Sequence, residues 1–122
     1  MSAKHILVVD DDKETCTNLS DILSDVGYGV AVAYDAETAL KIVGQNGHRL
    51  GLLDYKLPVM TGLDLFRRIK QDKENLVCVL VTAFASADVE ETAKAEGMRA
   101  VLPKPVDFAK LMSIVEEVVG TP

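Results

Sequence analysis

The stretch that decides the fold is Ile6-Leu-Val-Val-Asp-Asp-Asp12, an unbroken apolar run that ends in three carboxylates. A continuous apolar run of this length is typical of a strand covered on both faces of a parallel sheet. In an open α/β sheet the ligand crevice lies outside the carboxyl ends of the strands. The acidic residues therefore stand where such a sheet places its functional groups.

Polar residues end three further apolar runs in the same way. Asp54 follows Leu-Leu, Thr82 follows Val-Leu-Val, and Lys104 lies in Leu-Pro-Lys-Pro. Because the carboxyl ends of parallel strands share one edge of the sheet, we expect these side chains to meet Asp10 and Asp11 in one pocket. Three carboxylates, a hydroxyl and an ammonium are the groups of a magnesium and phosphoryl site.

Length and charge restrict the classes of protein that need to be considered. The 122 residues suit a single core, so we expect residues 1–122 to form one domain. Nineteen acidic against thirteen basic residues give a net charge of -6, which argues against direct binding of nucleic acid or anionic membrane. No apolar stretch approaches the ~20 residues of a membrane span, and the first residues lack the apolar core of a secretory signal. We therefore expect a cytoplasmic protein.

Cysteine, histidine and most basic residues carry no predicted chemistry. Cys16 and Cys78 show no CxxC spacing and are predicted to be buried or half-buried free thiols. His5 and His48 have no second ligand at metal spacing and are predicted to be ordinary surface histidines. The basic residues of the middle of the chain are predicted to form a solvated face rather than a binding patch: Lys56, Arg67, Arg68, Lys70 and Lys73.

Strand-like and helix-like patterns alternate along the chain and give five βα units. The predicted strands are residues 6–9, 30–33, 50–53, 77–81 and 100–102. Arg49 and Gly51 interrupt the third of them, and Gly62 is predicted to lie in the loop that follows. The helix predicted from Ser86 to Glu96 has a weak apolar stripe, so it should be the most loosely packed.

Cap residues predict the boundaries of the second and the last helix. The second helix is predicted to begin at the cap Asp35 and to stop near Asn46-Gly47. The last helix is predicted to follow the cap Asp107 and to pack through an apolar stripe that begins at Phe108.

Four motifs in register resemble the receiver domain of two-component response regulators. They are VVDDD, LLDYKLPVMTG, LVTA and LPKP, in this order and over essentially the whole chain. Each motif alone is weak, but all four stand at a strand end. The resemblance implies an α/β fold, a doubly wound five-stranded parallel sheet in the order 2-1-3-4-5, which is the flavodoxin-like (βα)5 receiver fold. The strand order comes from the resemblance, because periodicity does not supply it.

The resemblance also implies a chemistry. Asp54 would be the phosphoacceptor, and Thr82 and Lys104 would assist it. The phosphoryl group would come from a sensor histidine kinase or a histidine phosphotransfer protein. The implied ligands of Mg²⁺, or Mn²⁺, are Asp10, Asp11, Asp54 and the backbone carbonyl of Lys56. The implied phosphate contacts are Thr82, the amide of Ala83, Lys104 and Lys56. Such a protein phosphorylates and dephosphorylates itself but is not otherwise an enzyme.

The resemblance also implies that the surface of residues 86–119 contacts an output domain or a partner protein. The same surface could form a homodimer on phosphorylation. Receivers typically have a cis Lys-Pro peptide, here Lys104-Pro105. They often carry an aromatic residue where this chain has Val101, so an aromatic switch is not implied. Lys56 and Phe84 stand two residues beyond the acceptor Asp and the Thr, where receivers tune hydrolysis. The bulk of Phe84 predicts slow self-dephosphorylation.

Other functions remain open. A receiver-like adaptor that is never phosphorylated fits the same sequence. An aspartate-nucleophile phosphatase of the haloacid dehalogenase type also begins with Asp-x-Asp, but Glu14 stands where that family has Thr or Val. A flavodoxin-like cofactor carrier needs a phosphate-binding loop after the first strand, and Asp11-Asp12-Lys13-Glu14 would repel the flavin phosphate. Asp12 alone is best explained as a helix cap.

Overall fold

The computed structural model of the protein describes residues 5–45, 47–73 and 75–122, and five strands alternate with five helices. The strands are β1 (Ile6–Val9), β2 (Val30–Ala33), β3 (Leu50–Leu53), β4 (Val77–Thr82) and β5 (Ala100–Pro103). The helices are α1 (Lys13–Val26), α2 (Ala36–Val43), α3 (Gly62–Asp72), α4 (Ala87–Ala95) and α5 (Phe108–Val119).

All strand pairs are parallel, and the sheet has the order β2-β1-β3-β4-β5. The fold that the resemblance implied is confirmed. In the register of the central strands, Val9 lies opposite Leu53, and Leu53 lies opposite Leu80. The residues that follow β1, β3 and β4 therefore emerge at one edge of the sheet.

Two apolar layers cover the sheet, one on each face. Alternate residues of β1 point to opposite layers: Leu7 and Val9 belong to the layer with α2 and α3, and Ile6 and Val8 to the layer with α1 and α5. All four side chains of β1 are buried. This two-sided burial explains why β1 reads as an unbroken apolar run rather than an alternating one.

Two glycines have roles that the sequence did not reveal. Gly51 does not weaken β3, because all four residues of the strand are buried and a Cβ at Gly51 would lie 3.3 Å from Sγ of Cys78. Gly62 is not in the loop but is the first residue of α3, capped by Thr61. A Cβ at Gly62 would collide with the carbonyl oxygen of Asp54. Gly51 thus allows close packing between β3 and β4, and Gly62 allows the start of α3 to approach Asp54.

One predicted helix end and one predicted core position were wrong. The second helix ends earlier than expected, at Val43, and the predicted end at Asn46 lies outside the described residues. Phe108 is 50% exposed, whereas Leu111 and Val115 of α5 are buried. Phe108 directly follows the cap Asp107, so it precedes the part of the helix that packs on the sheet.

The prediction of a loosely packed α4 is confirmed, since Ala93 is its single buried residue among those described. Cys16 and Cys78 are buried free thiols, as predicted. The prediction of surface histidines was wrong. His5 and His48 are both half-buried, and the pKa of His48 is lowered by burial and by the neighbouring His5. Within the described ranges, no helix has the length and apolar character needed to cross a membrane.

Candidate functional site

Three carboxylates meet at the carboxyl edge of the sheet. Asp10 follows β1 and Asp54 follows β3, and with Asp11 they place carboxylate oxygens within 4.8 Å of one another. Asp10 and Asp54 are only 3% and 7% exposed, whereas Asp11 faces solvent. Asp12 is outside this group, because its side chain accepts a hydrogen bond from the amide of Glu14 and caps α1, as predicted. The cluster therefore has two buried members and one open side.

Lys104 reaches the cluster from the far side of the sheet. It follows β5, and its side chain extends past β4 and β3 to donate to Oδ2 of Asp10 at 2.6 Å. The same Nζ lies 3.5 Å from Oδ2 of Asp54. The amide of Lys104 donates to the carbonyl of Thr82 at 3.0 Å, and the peptide to Pro105 is cis, as expected. Its backbone is thus fixed on the neighbouring strand end.

The ammonium of Lys104 is stabilised in its charged form. Burial by itself lowers the pKa of Lys104, but the hydrogen bond and the charge of Asp10, together with the charge of Asp54, outweigh burial and raise the pKa. One cation therefore serves two buried carboxylates, and it sits closer to Asp10.

Of the two buried carboxylates, Asp54 has the weaker compensation for its charge. Burial and the negative charge of Asp10 raise its pKa, and Lys104, Thr82 and the amide of Tyr55 offset this only in part. Its Oδ1 is buried and finds no hydrogen-bond partner among the described residues. A buried acceptor without a donor is unfavourable and calls for an explanation in function.

Thr82 is the last residue of β4 and is completely buried. Its hydroxyl oxygen accepts from the amide of Phe84 at 3.1 Å, which shapes the loop that contains Ala83. Thr82 and Ala83 therefore stand at the same sheet edge as Asp54, where the sequence placed them.

The side chain of Lys56 has a partner that the sequence did not indicate. Its Nζ lies 4.7 Å from the centroid of the Phe84 ring, a cation–π contact between the loops that follow β3 and β4. The backbone of Lys56 pairs with Thr61 in an antiparallel bridge, and the amide of Gly62 donates to the carbonyl of Tyr55 at 2.7 Å. The loop after Asp54 is thus folded back on the start of α3.

Two supporting contacts were missed at the level of sequence. The thiol of Cys16 donates to the carbonyl of Asp10 at 3.2 Å, and the amide of Asp12 donates to Oδ1 of Asp10 at 2.9 Å. The pattern Thr61-x-x-Asp64 could have indicated a capping box, which the structure contains. These contacts fix Asp10 and the start of α3 rather than adding reactive groups.

The donor set fits a hard divalent cation. Three carboxylates oppose one ammonium, so the cluster carries excess negative charge, and Oδ1 of Asp54 is available as a ligand. Mg²⁺ prefers oxygen ligands, keeps several of its waters and therefore needs few protein groups. The open side at Asp11 leaves room for those waters.

Comparisons with known proteins agree in pointing to one family. The family model of the response regulator receiver domain matches residues 6–116. A response regulator receiver protein of Anaeromyxobacter sp. is 32% identical over 111 residues, which are 91% of this chain and 47% of that protein. The transcriptional regulatory protein ZraR of Salmonella typhimurium is 36% identical over 112 residues, 92% of this chain and 25% of ZraR. The chain thus spans less than half the length of these two relatives.

Solved structures show the same likeness. The CheY-like receiver domain of a response regulator from Methanospirillum hungatei superposes with a TM-score of 0.87 at 31% identity, covering 95% of this chain and 93% of that one. The strand order and the alternation of helices are shared with that family. Because the family match spans nearly all of the sequence and the fold agrees, the chain belongs to the response regulator receiver domain family, the phosphorylation-dependent signalling modules of two-component systems.

Proposed function

We propose that this protein is a magnesium-dependent phosphoacceptor switch and that Asp54 takes the phosphoryl group from a phosphohistidine of a sensor kinase or of a histidine phosphotransfer protein. The observation that carries the proposal is Oδ1 of Asp54, a buried oxygen that finds no hydrogen-bond donor in the described part of the chain. Asp10, Asp11 and Lys104 surround it with the charges that phosphoryl transfer requires.

In the transfer step a carboxylate oxygen of Asp54 attacks phosphorus, the bond from phosphorus to the donor nitrogen breaks, and an acyl phosphate forms. Lys104 is 3.5 Å from Asp54, and its positive charge favours the ionised form of that carboxylate against the effects of burial and of Asp10. A short shift would bring its ammonium onto the phosphoryl oxygens. The hydroxyl of Thr82 and the amide of Ala83 would donate hydrogen bonds to the same oxygens.

The metal ligands would be the groups that the sequence suggested: Asp10, Asp11, Asp54 and the backbone carbonyl of Lys56. When bound, Mg²⁺ or Mn²⁺ supplies positive charge that offsets the negative charge of the transferring phosphoryl group. The bridge between Lys56 and Thr61 holds that carbonyl in a folded loop. Lys56 is further proposed to contact phosphate through its side chain, which requires it to leave the ring of Phe84.

The proposed partners are those that receiver domains use in general. We treat residues 1–122 as one receiver domain that signals through residues 86–119 to an output domain or a separate protein, or by forming a homodimer on phosphorylation. An output domain is suggested by the length of ZraR, a transcriptional regulatory protein of which this chain spans 25%. Self-phosphorylation and self-dephosphorylation would be its only chemistry, carried out in the cytoplasm.

The proposal is tested by incubating the protein with acetyl phosphate and Mg²⁺ and measuring intact mass. We expect the wild type to gain one phosphoryl group and Asp54→Asn to gain none. Asp12→Asn is the matched control, because Asp12 caps α1 and Asn is an equally good cap. Phosphorylation of Asp54→Asn at the wild-type rate would falsify the assignment. A wild type that gains no mass from either acetyl phosphate or a phosphohistidine protein would instead indicate the adaptor.

A further inference from the structure

The C-terminal end of α4 is held by an ionic clamp, which we define as Arg67, Asp64, Lys70 and Glu96. The guanidinium of Arg67 donates to both carboxylate oxygens of Glu96, at 2.6 and 2.5 Å. It also donates to Asp64 at 2.9 Å, one turn earlier on α3, which orients it. Lys70 donates to the backbone carbonyl of Glu96 at 3.0 Å. Arg67 and Lys70 are thus more than the solvated face that the sequence predicted.

Among the described residues, no side-chain hydrogen bond or ion pair joins the N-terminal half of α4 to α3. Ala93 is the buried residue of the helix, and Val89 is partly buried and packs against the core. An open groove between α3 and α4 begins at Tyr55 and Asp88 and extends to Arg67 of the clamp. The two helices are therefore joined at one end and separated at the other.

The two ends of α4 also connect to different loops of the site. Through the clamp, Glu96 is tied to Asp64, whose carboxylate accepts from the amide of Thr61 at 3.2 Å in the capping box. Thr61 pairs in turn with Lys56, two residues after Asp54. The N-terminal end of α4 instead continues directly from the loop of Thr82. Movement of Thr82 toward a phosphoryl group would therefore pull on one end of α4 only.

We propose that α4 works as a lever with a fixed C-terminal end, and that Arg67 and Glu96 are the positioning residues that fix it. The fixed end is a property of the unphosphorylated protein. The use of the lever in signalling rests on the proposed function at Asp54. Without the clamp, α4 would move as a whole, and the direction of its response would be lost.

The first test uses the free protein and residue-resolved NMR hydrogen exchange. The reporters are the amides of Glu96 and Met98, which donate to the carbonyls of Thr92 and Ala93. Arg67→Gln should speed their exchange by about two- to fivefold, the size expected for an exposed ion pair, and 0.5 M salt should do the same to the wild type. Arg68→Gln is the matched control, since no ion pair of Arg68 is present among the described residues.

A double-mutant cycle read at the amide of Met98 tests whether Arg67 acts through Glu96. Glu96→Gln should speed exchange about as much as Arg67→Gln, and the double variant should exchange no faster than either single variant. If Arg67→Gln and Arg68→Gln behave alike, the clamp does not hold α4 and the proposal is wrong. If the effects of the two single variants multiply in the double variant, the effect of Arg67 does not pass through Glu96, which also overturns the proposal.

The second test adds beryllium fluoride with Mg²⁺ as a phosphoryl analogue and follows backbone chemical shifts. In the wild type, residues 83–91 should shift and residues 95–98 should not. In Arg67→Gln, both groups should shift. Shifts at residues 95–98 of the wild type as large as those at 83–91 would refute the fixed end. Absence of any binding would refute the proposed function at Asp54 and not the clamp, which the first test decides.

Discussion

Asp54→Asn should make the metal-free protein more stable, because the carboxylate of Asp54 is buried with one oxygen unpaired. An unsatisfied buried acceptor costs about 1–3 kcal/mol, and Lys104 at 3.5 Å offsets part of this for Asp54. We therefore expect the substitution to raise the free energy of unfolding by about 1–2 kcal/mol. The neutral amide carries no charge to bury and can donate to the carboxylate of Asp10.

The assay is urea unfolding at pH 7 in the presence of a chelator and again with Mg²⁺. With a slope of about 2 kcal/mol/M, the midpoint of Asp54→Asn should exceed that of the wild type by about 0.5–1 M without metal. At 100 times its dissociation constant, Mg²⁺ stabilises a protein by about 2.7 kcal/mol. The wild type should gain this amount and Asp54→Asn much less, so the order of the two midpoints should reverse.

The pH dependence of stability tests independently whether the charged form of Asp54 is destabilising. The pKa of Asp54 is raised above 3.8 by folding, so between 3.8 and the folded value the native state holds more protons than the unfolded state. The stabilisation that comes from the protonated form is complete below 3.8 and is lost as pH rises through the folded pKa. The gap between Asp54→Asn and the wild type should thus widen as pH rises from 3.8. A variant less stable than the wild type at pH 7 without metal would refute the reasoning, and Asp12→Asn should stay within about 0.5 kcal/mol.

Four further substitutions test other parts of the site and fold. Asp11→Ala should at least halve the rise of the urea midpoint with Mg²⁺, because Asp11 is the open-side carboxylate of the cluster; an unchanged titration would remove it from the ligand set. Phe84→Glu and Lys56→Asn should each speed loss of the acyl phosphate by up to about tenfold, which is less than a fully positioned base supplies. Both substitutions remove the contact between the ring of Phe84 and the ammonium of Lys56. Slower loss in both variants would show that Phe84 and Lys56 do not slow hydrolysis. His48→Gln should flatten the fall in stability of the wild type below pH 6.5, because folding lowers the pKa of His48 and its contribution is lost as pH falls; equal slopes in acid would contradict this.

The strands were predictable because burial on both faces leaves a simple trace. β1 and β3 are buried at every position. β1 is therefore an unbroken apolar run and β3 a short one interrupted by Gly51, and a polar residue follows each of them. The same trace placed Asp10, Asp54 and Thr82 at one sheet edge, where the structure brings them together. An apolar run does not indicate which strands lie beside it in the sheet, however, so the strand order was predicted from the resemblance alone.

Side-chain pairing could not be predicted, because it depends on distances between residues that are far apart in the chain. Lys104 lies closer to Asp10 than to Asp54 only because the ammonium extends past two strands. The contact of Lys56 with Phe84 joins two loops whose separation no local pattern encodes. His5 and His48 were judged singly from their spacing, whereas the pairing of β1 with β3 places them side by side.

The weakest features of this fold coincide with its proposed function. A buried carboxylate with an unpaired oxygen and a helix with one buried residue both reduce stability, and a sequence selected for stability alone would replace them. Under the proposed function, a cation and a phosphoryl group would supply the charge and the donors that Asp54 lacks. Occupation of the site would then provide free energy in the folded state, and α4, with its weak packing, would resist movement least. Because the clamp at Glu96 holds one end of α4, that free energy is directed to the end that adjoins Thr82.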